Sequence, residues 1–175
     1  MKRRLIRIAV VLVLAVVIHV ITVMFYPTGC LLALSMKGKK EGRQVNTMVH
    51  APRVTAASRQ VVRPSPDLLY SICAYDVSEA PLRITASVPD TYWSLSLYAS
   101  NTDNFFVVND RQVPSKEMEI ILIGPDMAAP KEETAQVAVS PSERGVALIR
   151  MLVTGEDQFA HIQSIQRQAR CEVVD

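Results

Sequence analysis

The chain divides into three stretches by its pattern of apolar and polar positions. Residues 5–26 form an almost unbroken apolar run, preceded by three basic residues and followed by Pro27. Residues 36–66 are polar and basic without a hydrophobic period, and from residue 67 onward short apolar runs alternate with turn residues. The pattern predicts a tail and membrane helix over residues 1–35, a linker over 36–66 and a folded domain over 67–175.

The apolar run is long enough to cross a membrane. A helix over residues 5–26 would be roughly 33 Å long, and the hydrocarbon core of a bilayer is about 30 Å thick. Signal peptides have shorter apolar regions of about 7 to 15 residues, which favours an uncleaved signal anchor. Two alternatives stay open: cleavage after Ala33-Leu34-Ser35, and lipidation of Cys30, which Pro27 disfavours because a lipoprotein box has leucine there.

Basic residues on the two sides of the run bear on its orientation. Four lie at its start: Lys2, Arg3, Arg4 and Arg7. Four follow its far end: Lys37, Lys39, Lys40 and Arg43. Their numbers are equal, but the first group adjoins the hydrocarbon and the N-terminal tail is short, which favours a cytoplasmic N-terminus. We therefore expect a single-pass protein of the inner membrane whose C-terminal domain is periplasmic.

Charge is distributed unevenly along the chain. Residues 1–66 contain eleven Lys or Arg and one Glu, a net charge of +10, whereas residues 67–175 contain eight basic and sixteen acidic residues, a net charge of −8. The basic linker is either a solvated tether or a segment that lies on anionic lipid headgroups, each basic residue near the surface contributing about 1 kcal/mol. Because no basic patch interleaves with aromatic residues, we expect no nucleic-acid partner.

The folded domain has the pattern of an all-β protein. Seven apolar runs are separated by Pro-, Gly-, Ser- and Asp-containing turns. They cover residues 68–75, 82–88, 92–99, 105–109, 118–123, 134–139 and 145–153. About 110 residues with this number of strands fit one compact core. The fold class predicted is an all-β sandwich with one C-terminal amphipathic helix, preceded by the transmembrane helix.

Alternation in two neighbouring runs predicts a hairpin. Trp93 shares an apolar face with Leu95 and Leu97, so pairing the runs as a hairpin places Val88 opposite Trp93. The other face is then rich in hydroxyl groups and brings Arg83 opposite Tyr98. This face is either the solvated side of an antiparallel sheet or a surface that binds a ligand or a partner.

The last apolar pattern has the period of a helix. Thr154 and Asp157 have the spacing of a capping box at its start. The apolar stripe consists of Phe159, Ile162, Ile165 and Ala169. We expect this stripe to pack on the sandwich.

Three cysteines bear on compartment and stability. Cys73 lies on the first predicted strand and Cys171 directly follows the helix, so in an oxidising compartment these two can form a disulfide. Cys30 at the membrane exit is then left free, lipidated or cross-linked to another chain. The cysteines and histidines do not have the spacing of a zinc site, and we expect no metal.

Several strings in the chain resemble those of a known family. They are residues 71–77 (SICAYDV), 92–98 (YWSLSLY), 109–111 (NDR), 144–150 (RGVALIR) and 169–172 (ARCE). Together with the apolar run, they resemble the short single-span proteins of the bacterial domain-of-unknown-function 1254 family. The resemblance implies a proteobacterial inner-membrane protein with a β-rich periplasmic domain. It implies no catalytic residues, because the family has no established activity.

Few polar residues remain as candidates for chemistry. The sequence has no phosphate-binding loop, nucleophile elbow or zinc-protease motif, so we predict no catalytic residue and no cofactor. His19 lies near the middle of the membrane segment, where it contacts a partner helix, faces lipid or takes part in proton chemistry. Asp110 and Arg111 follow Asn109 in a cluster that is either a turn or a polar surface.

These observations favour an interaction function. We predict a non-catalytic accessory module anchored in the inner membrane, with a protein partner there or in the periplasm and a surface that includes Arg83, Tyr98, Asp110 and Arg111. The first alternative is a binder of a small glycan or envelope precursor through Trp93, Tyr98 or Arg83. The second is an envelope enzyme that uses Asp90, Asp110 or Arg111.

Overall fold

The computed structural model describes residues 2–40, 44–59, 63–128 and 135–174, with only the backbone described at 32 and 34–40. Residues 41–43 and 60–62 of the predicted linker, and Thr134 at the start of a predicted strand, lie outside the described residues.

The chain begins with one long helix, α1, over Lys2–Lys40. Its apolar side chains from Leu5 to Tyr26 are exposed, and the helix continues through Pro27 into the segment interpreted as a linker. The stretch Lys2–Leu31 is long and apolar enough to cross a membrane. By length, composition and position, such a helix fits either a membrane anchor or a signal sequence.

Two β-sheets form the body of the protein. The five-stranded sheet contains, in spatial order, β1 (Val49–His50), β2 (Leu68–Asp76), β8 (Arg144–Leu152), β4 (Trp93–Ala99) and β5 (Asn104–Asn109). The four-stranded sheet contains β7 (Gln136–Val139), β6 (Glu117–Ile123), β3 (Leu82–Ser87) and β9 (Arg170–Val173). Neighbouring strands are antiparallel except for β6 and β7, which are parallel.

The core lies between the inner faces of the two sheets. On β4 the inner face carries Trp93, Leu95 and Leu97, all fully buried, and on β3 it carries Leu82 and Ile84. This arrangement confirms the predicted sandwich, and the apolar face predicted for Trp93, Leu95 and Leu97 lies in its core. Burying these large side chains from both sheets is the main favourable contribution to folding.

The predicted hairpin between β3 and β4 is wrong. β3 pairs with β6 and β9 in one sheet, whereas β4 pairs with β5 and β8 in the other. Trp93 therefore lies opposite Met151, and Arg83 lies opposite Ile121 and Glu172. In a sandwich both sheets have an apolar inner face, so the alternation in a strand is satisfied equally well in either sheet.

A short helix precedes the last strand. A 3-10 turn over Glu156–Gln158 leads into α2 over Phe159–Gln166. The predicted apolar stripe packs on the core, but its last member, Ala169, lies beyond the end of the helix. The predicted capping box is wrong, because Gly155 is the N-cap and the Thr154 hydroxyl donates to Gln158 Oε1 at 2.7 Å. The chain then forms β9, a strand that the pattern did not predict and that contains Cys171.

Part of the basic segment packs against the sheet. Strand β1 pairs with β2, and the Ala51 carbonyl accepts a hydrogen bond from Gln166 at 3.2 Å. Arg53 forms an ion pair with Glu156 at 2.6 Å and lies over the Phe159 ring at 4.9 Å. Residues 49–53 of this segment are therefore fixed along this edge of the sandwich.

A disulfide joins Cys73 on β2 to Cys171 on β9, with 6.5 Å between their Cα atoms. Because β2 and β9 belong to different sheets, the bond links the two layers of the sandwich. The remaining cysteine, Cys30, is free and partly exposed.

Candidate functional site

The outer face of the five-stranded sheet is the surface on which the candidate residues meet. Strand β8 turns Ala147, Ile149 and Met151 into the core, so Leu148 and Arg150 point to the opposite side. The same alternation brings side chains of β1, β2, β4 and β5 to this outer face.

An apolar row crosses the outer face. Cross-strand pairing aligns Val49, Ile72, Leu148 and Val107, with Ser96 between the last two. Ile72 is 38% exposed and Val107 is 50% exposed. A row of this kind, which only Ser96 interrupts, differs from the single exposed apolar residues that any protein surface contains.

A polar patch adjoins the apolar row. We define it as Tyr92, Ser94, Ser96, Tyr98 and Arg150. The Tyr92 hydroxyl donates to Ser94 Oγ at 3.0 Å, and Arg150 Nη2 donates to the Tyr98 hydroxyl at 3.1 Å. Both serines are 2% exposed, so their hydroxyl groups lie beneath the larger side chains.

Arg150 is the cation of the polar patch. Its Nη1 also approaches Ser96 Oγ, at 3.5 Å, so both of its partners are neutral hydroxyl groups. Within the part of the chain that the structure describes, no carboxylate oxygen lies within ion-pair distance of this guanidinium. Half-buried and without an acidic partner, Arg150 keeps donors available to an anion.

The pKa of Tyr98 reflects the field of this cation. Burial by itself raises the pKa of the phenol, but the hydrogen bond and the positive charge of Arg150, together with hydrogen bonds to Asn104 and Ser96, lower it below the ordinary value of 10.0. Arg150 therefore stabilises negative charge at the position of the Tyr98 oxygen.

Arg83 lies on the other sheet and does not meet Tyr98. Its Nε forms an ion pair with Glu119 Oε1 at 2.9 Å. The arginine that contacts Tyr98 is Arg150, which is not among the residues predicted for this surface. Its alternation with Ile149 and Met151 placed it on an outer face, but only the pairing of β8 with β4 brings it to Tyr98.

Asp110 and Arg111 lie in the turn after β5. The Trp93 amide donates to Asp110 Oδ1 at 3.3 Å, and the Arg111 amide donates to Asn109 Oδ1 at 3.0 Å. Asp110 also lines a cleft of about 260 Å³ with Asp90 and Lys116, which form an ion pair with each other. The hydrogen bond from Lys116, and then its charge, lower the pKa of the exposed Asp90.

A second groove, of about 450 Å³, lies between the sheet edges β1 and β9. His50 and Arg170 line it, and His50 Nδ1 lies 3.0 Å from Ser71 Oγ. Burial lowers the pKa of His50, and the charges of Arg170 and Arg167 lower it further.

The remaining candidates do not join these surfaces. His19 is exposed on α1. Among the described residues there is no group of three or more His, Cys, Asp or Glu side chains arranged to hold a metal ion.

The chain resembles solved structures. The VPA0106 protein of Vibrio parahaemolyticus matches with a TM-score of 0.69 and 12% identity, over 87% of this chain and 36% of that one. An uncharacterised protein of Burkholderia cenocepacia matches with a TM-score of 0.46 and 16% identity, over 74% of this chain and 34% of that one. The chain thus spans about a third of the length of each.

Sequence comparison identifies the family. The chain matches no curated protein. Residues 45–173, which include every strand of both sheets, match the family model described as a protein of unknown function, DUF1254. The chain therefore belongs to the DUF1254 family.

Proposed function

We propose that the protein is a non-catalytic interaction module of the bacterial inner membrane. In this proposal α1 anchors the chain, the sandwich lies in the periplasm, and the outer face of the five-stranded sheet binds a protein partner. The observation that carries the proposal is the exposed apolar row beside the polar patch.

Two features support the location. The side chains of α1 from Leu5 to Tyr26 are apolar and exposed, which is costly in water and favourable in a bilayer. The disulfide between Cys73 and Cys171 requires an oxidising compartment to form and persist. A periplasmic sandwich on a membrane anchor satisfies both requirements.

The chemistry of the outer face supports a protein partner. Protein interfaces combine an apolar centre with tyrosine and arginine side chains that are rigid or can donate several hydrogen bonds. The apolar centre is supplied here by the apolar row of Val49, Ile72, Leu148 and Val107. The tyrosine and arginine side chains are supplied by Tyr92, Tyr98 and Arg150.

Site-specific photocrosslinking tests the proposal in intact cells. A photoreactive residue at Val107, in the apolar row, is expected to give a discrete cross-linked product with another protein. The matched control is Val139, an apolar residue on the four-stranded sheet that is 57% exposed. The proposal fails if position 107 gives no protein adduct, or if the two positions give the same products with equal yield.

A second candidate function is favoured by the cleft of about 260 Å³ that contains Asp90 and Asp110. Carboxylates in a concave polar cleft are suited to hydroxyl groups of a small glycan or envelope precursor. Trp93 is fully buried and Arg83 lies on the other sheet, so neither can join Tyr98 in binding such a ligand. Saturable NMR shifts of the Lys116 amide, which also lines the cleft, with a soluble envelope oligosaccharide, lost in Asp110→Ala, would favour this function over the first.

A further inference from the structure

We infer that Arg150 forms a carboxylate-binding site on the outer face, which receives an Asp or Glu side chain of the partner protein. The identity of the occupant rests on the proposed function. The chemistry of the site rests on the side chains around Arg150 and is testable without the partner.

The hydrogen bonds of Arg150 leave donors for a ligand. A guanidinium has five N–H groups, and those of Arg150 meet two neutral oxygens, of Tyr98 at 3.1 Å and of Ser96 at 3.5 Å. A carboxylate accepts two parallel N–H bonds from such a planar group, in the charge-assisted arrangement that proteins use most often for arginine.

The surroundings of Arg150 hold the side chain in place for this role. It lies between Tyr70 on β2 and Ser94 on β4 in the cross-strand register, at the centre of the sheet rather than at an edge. Both Ser94 and Ser96 are buried, so water has limited access to that side of the guanidinium. Reduced solvent access strengthens an interaction with an incoming anion.

The neighbouring residues favour a protein carboxylate over a phosphate. Leu148 precedes Arg150 by two residues on the same face of β8. The apolar row therefore lies about 7 Å from Arg150 along the strand, measured between the two Cα atoms. A ligand that covers both must carry apolar groups beside one anionic group. A lone guanidinium balances the single negative charge of a carboxylate. Residues 67–175 have a net charge of −8, which repels ligands of higher negative charge such as a phosphate more strongly.

The first experiment measures the anion site directly. The full chain in detergent micelles, labelled with ¹⁵N-arginine, is titrated with N-acetylglutamate, N-acetylglutamine and methyl phosphate. Variants R150K and R144K assign the two side-chain Nε signals. Arg144 is the matched control, because it lies on the same strand and face but is already paired with Asp76 at 2.7 Å.

We expect the Arg150 signal to shift saturably with N-acetylglutamate. The affinity for this acid should be at least about tenfold higher than for the neutral amide, because hydrogen bonds to charged groups are stronger than those between neutral groups. The Arg144 signal should move less. Equal responses to the acid and the amide would overturn the site, and tighter binding of methyl phosphate would overturn its assignment to a carboxylate.

The second experiment connects the site to the partner. In cells, R150Q is expected to reduce the cross-linked product from position 107 at least about tenfold, R150K less, and the control R144Q little. Melting temperatures of the purified variants show that each remains folded. An undiminished product in R150Q would overturn the role of Arg150 in partner binding. Absence of any product in the wild type would reject the proposed function, while the titration still decides whether the anion site exists.

Discussion

At the scale of single residues, Tyr75 connects three segments of the sandwich. Its hydroxyl donates to the Tyr98 carbonyl at 3.0 Å and lies 2.9 Å from Ser140 Oγ. Burial, which outweighs its hydrogen bonds to Ser140 and Ser142, raises the pKa of Tyr75 and keeps the phenol protonated as a donor. This contact requires Gly145, because a Cβ there would overlap both the Tyr75 hydroxyl and the Tyr98 carbonyl.

Gly145→Ala is therefore expected to destabilise the domain by about 1 to 3 kcal/mol, since the added methyl group must displace backbone or the buried phenol. Chemical denaturation of the purified protein measures the loss. Gly29→Ala is the control, because a Cβ there meets no atom within 4 Å and the position is helical. Equal stability of the two variants would contradict the close approach at Gly145.

His50 gives a prediction about pH. Its pKa in the folded state is below the ordinary value of 6.5, chiefly through burial. As the pH falls from about 6.5 toward that lowered pKa, the unfolded chain takes up a proton that the folded chain does not, so stability decreases. His50→Gln should show a smaller drop in melting temperature between about pH 7.5 and about pH 5.5. A drop as large in His50→Gln as in the wild type would show that it comes from other groups.

At the scale of elements, alternation predicted the strands well and their pairing poorly. The predicted runs match β2 to β8 within one or two residues at their ends. Alternation reports which side of a strand is apolar, and this is independent of which strand lies next to it. Strand β1 was missed because its two residues are ordered by pairing with β2, and β9 because its four residues directly follow a helical pattern.

The same limit applies to the candidate site. Tyr98 was predicted on an outer face, and its placement follows from alternation within β4 alone. Arg150 was missed because its contact with Tyr98 depends on the neighbour of β4. Asp110 and Asp90 share a cleft only because the loop after β5 lies beside the loop before β4, which no periodicity encodes.

The link between β2 and β9 gives a prediction at this scale. The disulfide spans 98 residues, for which the chain-entropy model gives about 4.7 kcal/mol of stabilisation. Replacing both Cys73 and Cys171 by Ser should lower the free energy of unfolding by several kcal/mol. It should also increase hydrogen exchange in β9, which among the described strands pairs with β3 alone. Cys30→Ser is the control and should leave both measurements unchanged. Unaltered exchange in β9 would show that its pairing with β3 is enough to keep the strand in place without the disulfide.

At the scale of the whole molecule, the distribution of charge and apolar surface fits a protein held at a membrane. The basic charge is concentrated in residues 1–66 and the acidic charge in residues 67–175. A net positive segment beside an apolar helix attracts anionic headgroups, and a net negative domain is repelled from them. In the proposed anchoring, this charge would therefore favour a position of the sandwich away from the lipid surface.

Thiol labelling tests location and fold in one measurement. If the sandwich is periplasmic, protein taken from cells, denatured without reduction and treated with a thiol reagent should be labelled once, at Cys30, because the other two cysteines are bonded. After reduction it should be labelled three times. The labelled protein should stay in the membrane pellet after an alkaline wash, since an apolar helix of this length leaves a bilayer only at great cost. Three labels before reduction would place the domain in a reducing compartment, and a shortened soluble form lacking Cys30 would identify α1 as a cleaved signal sequence.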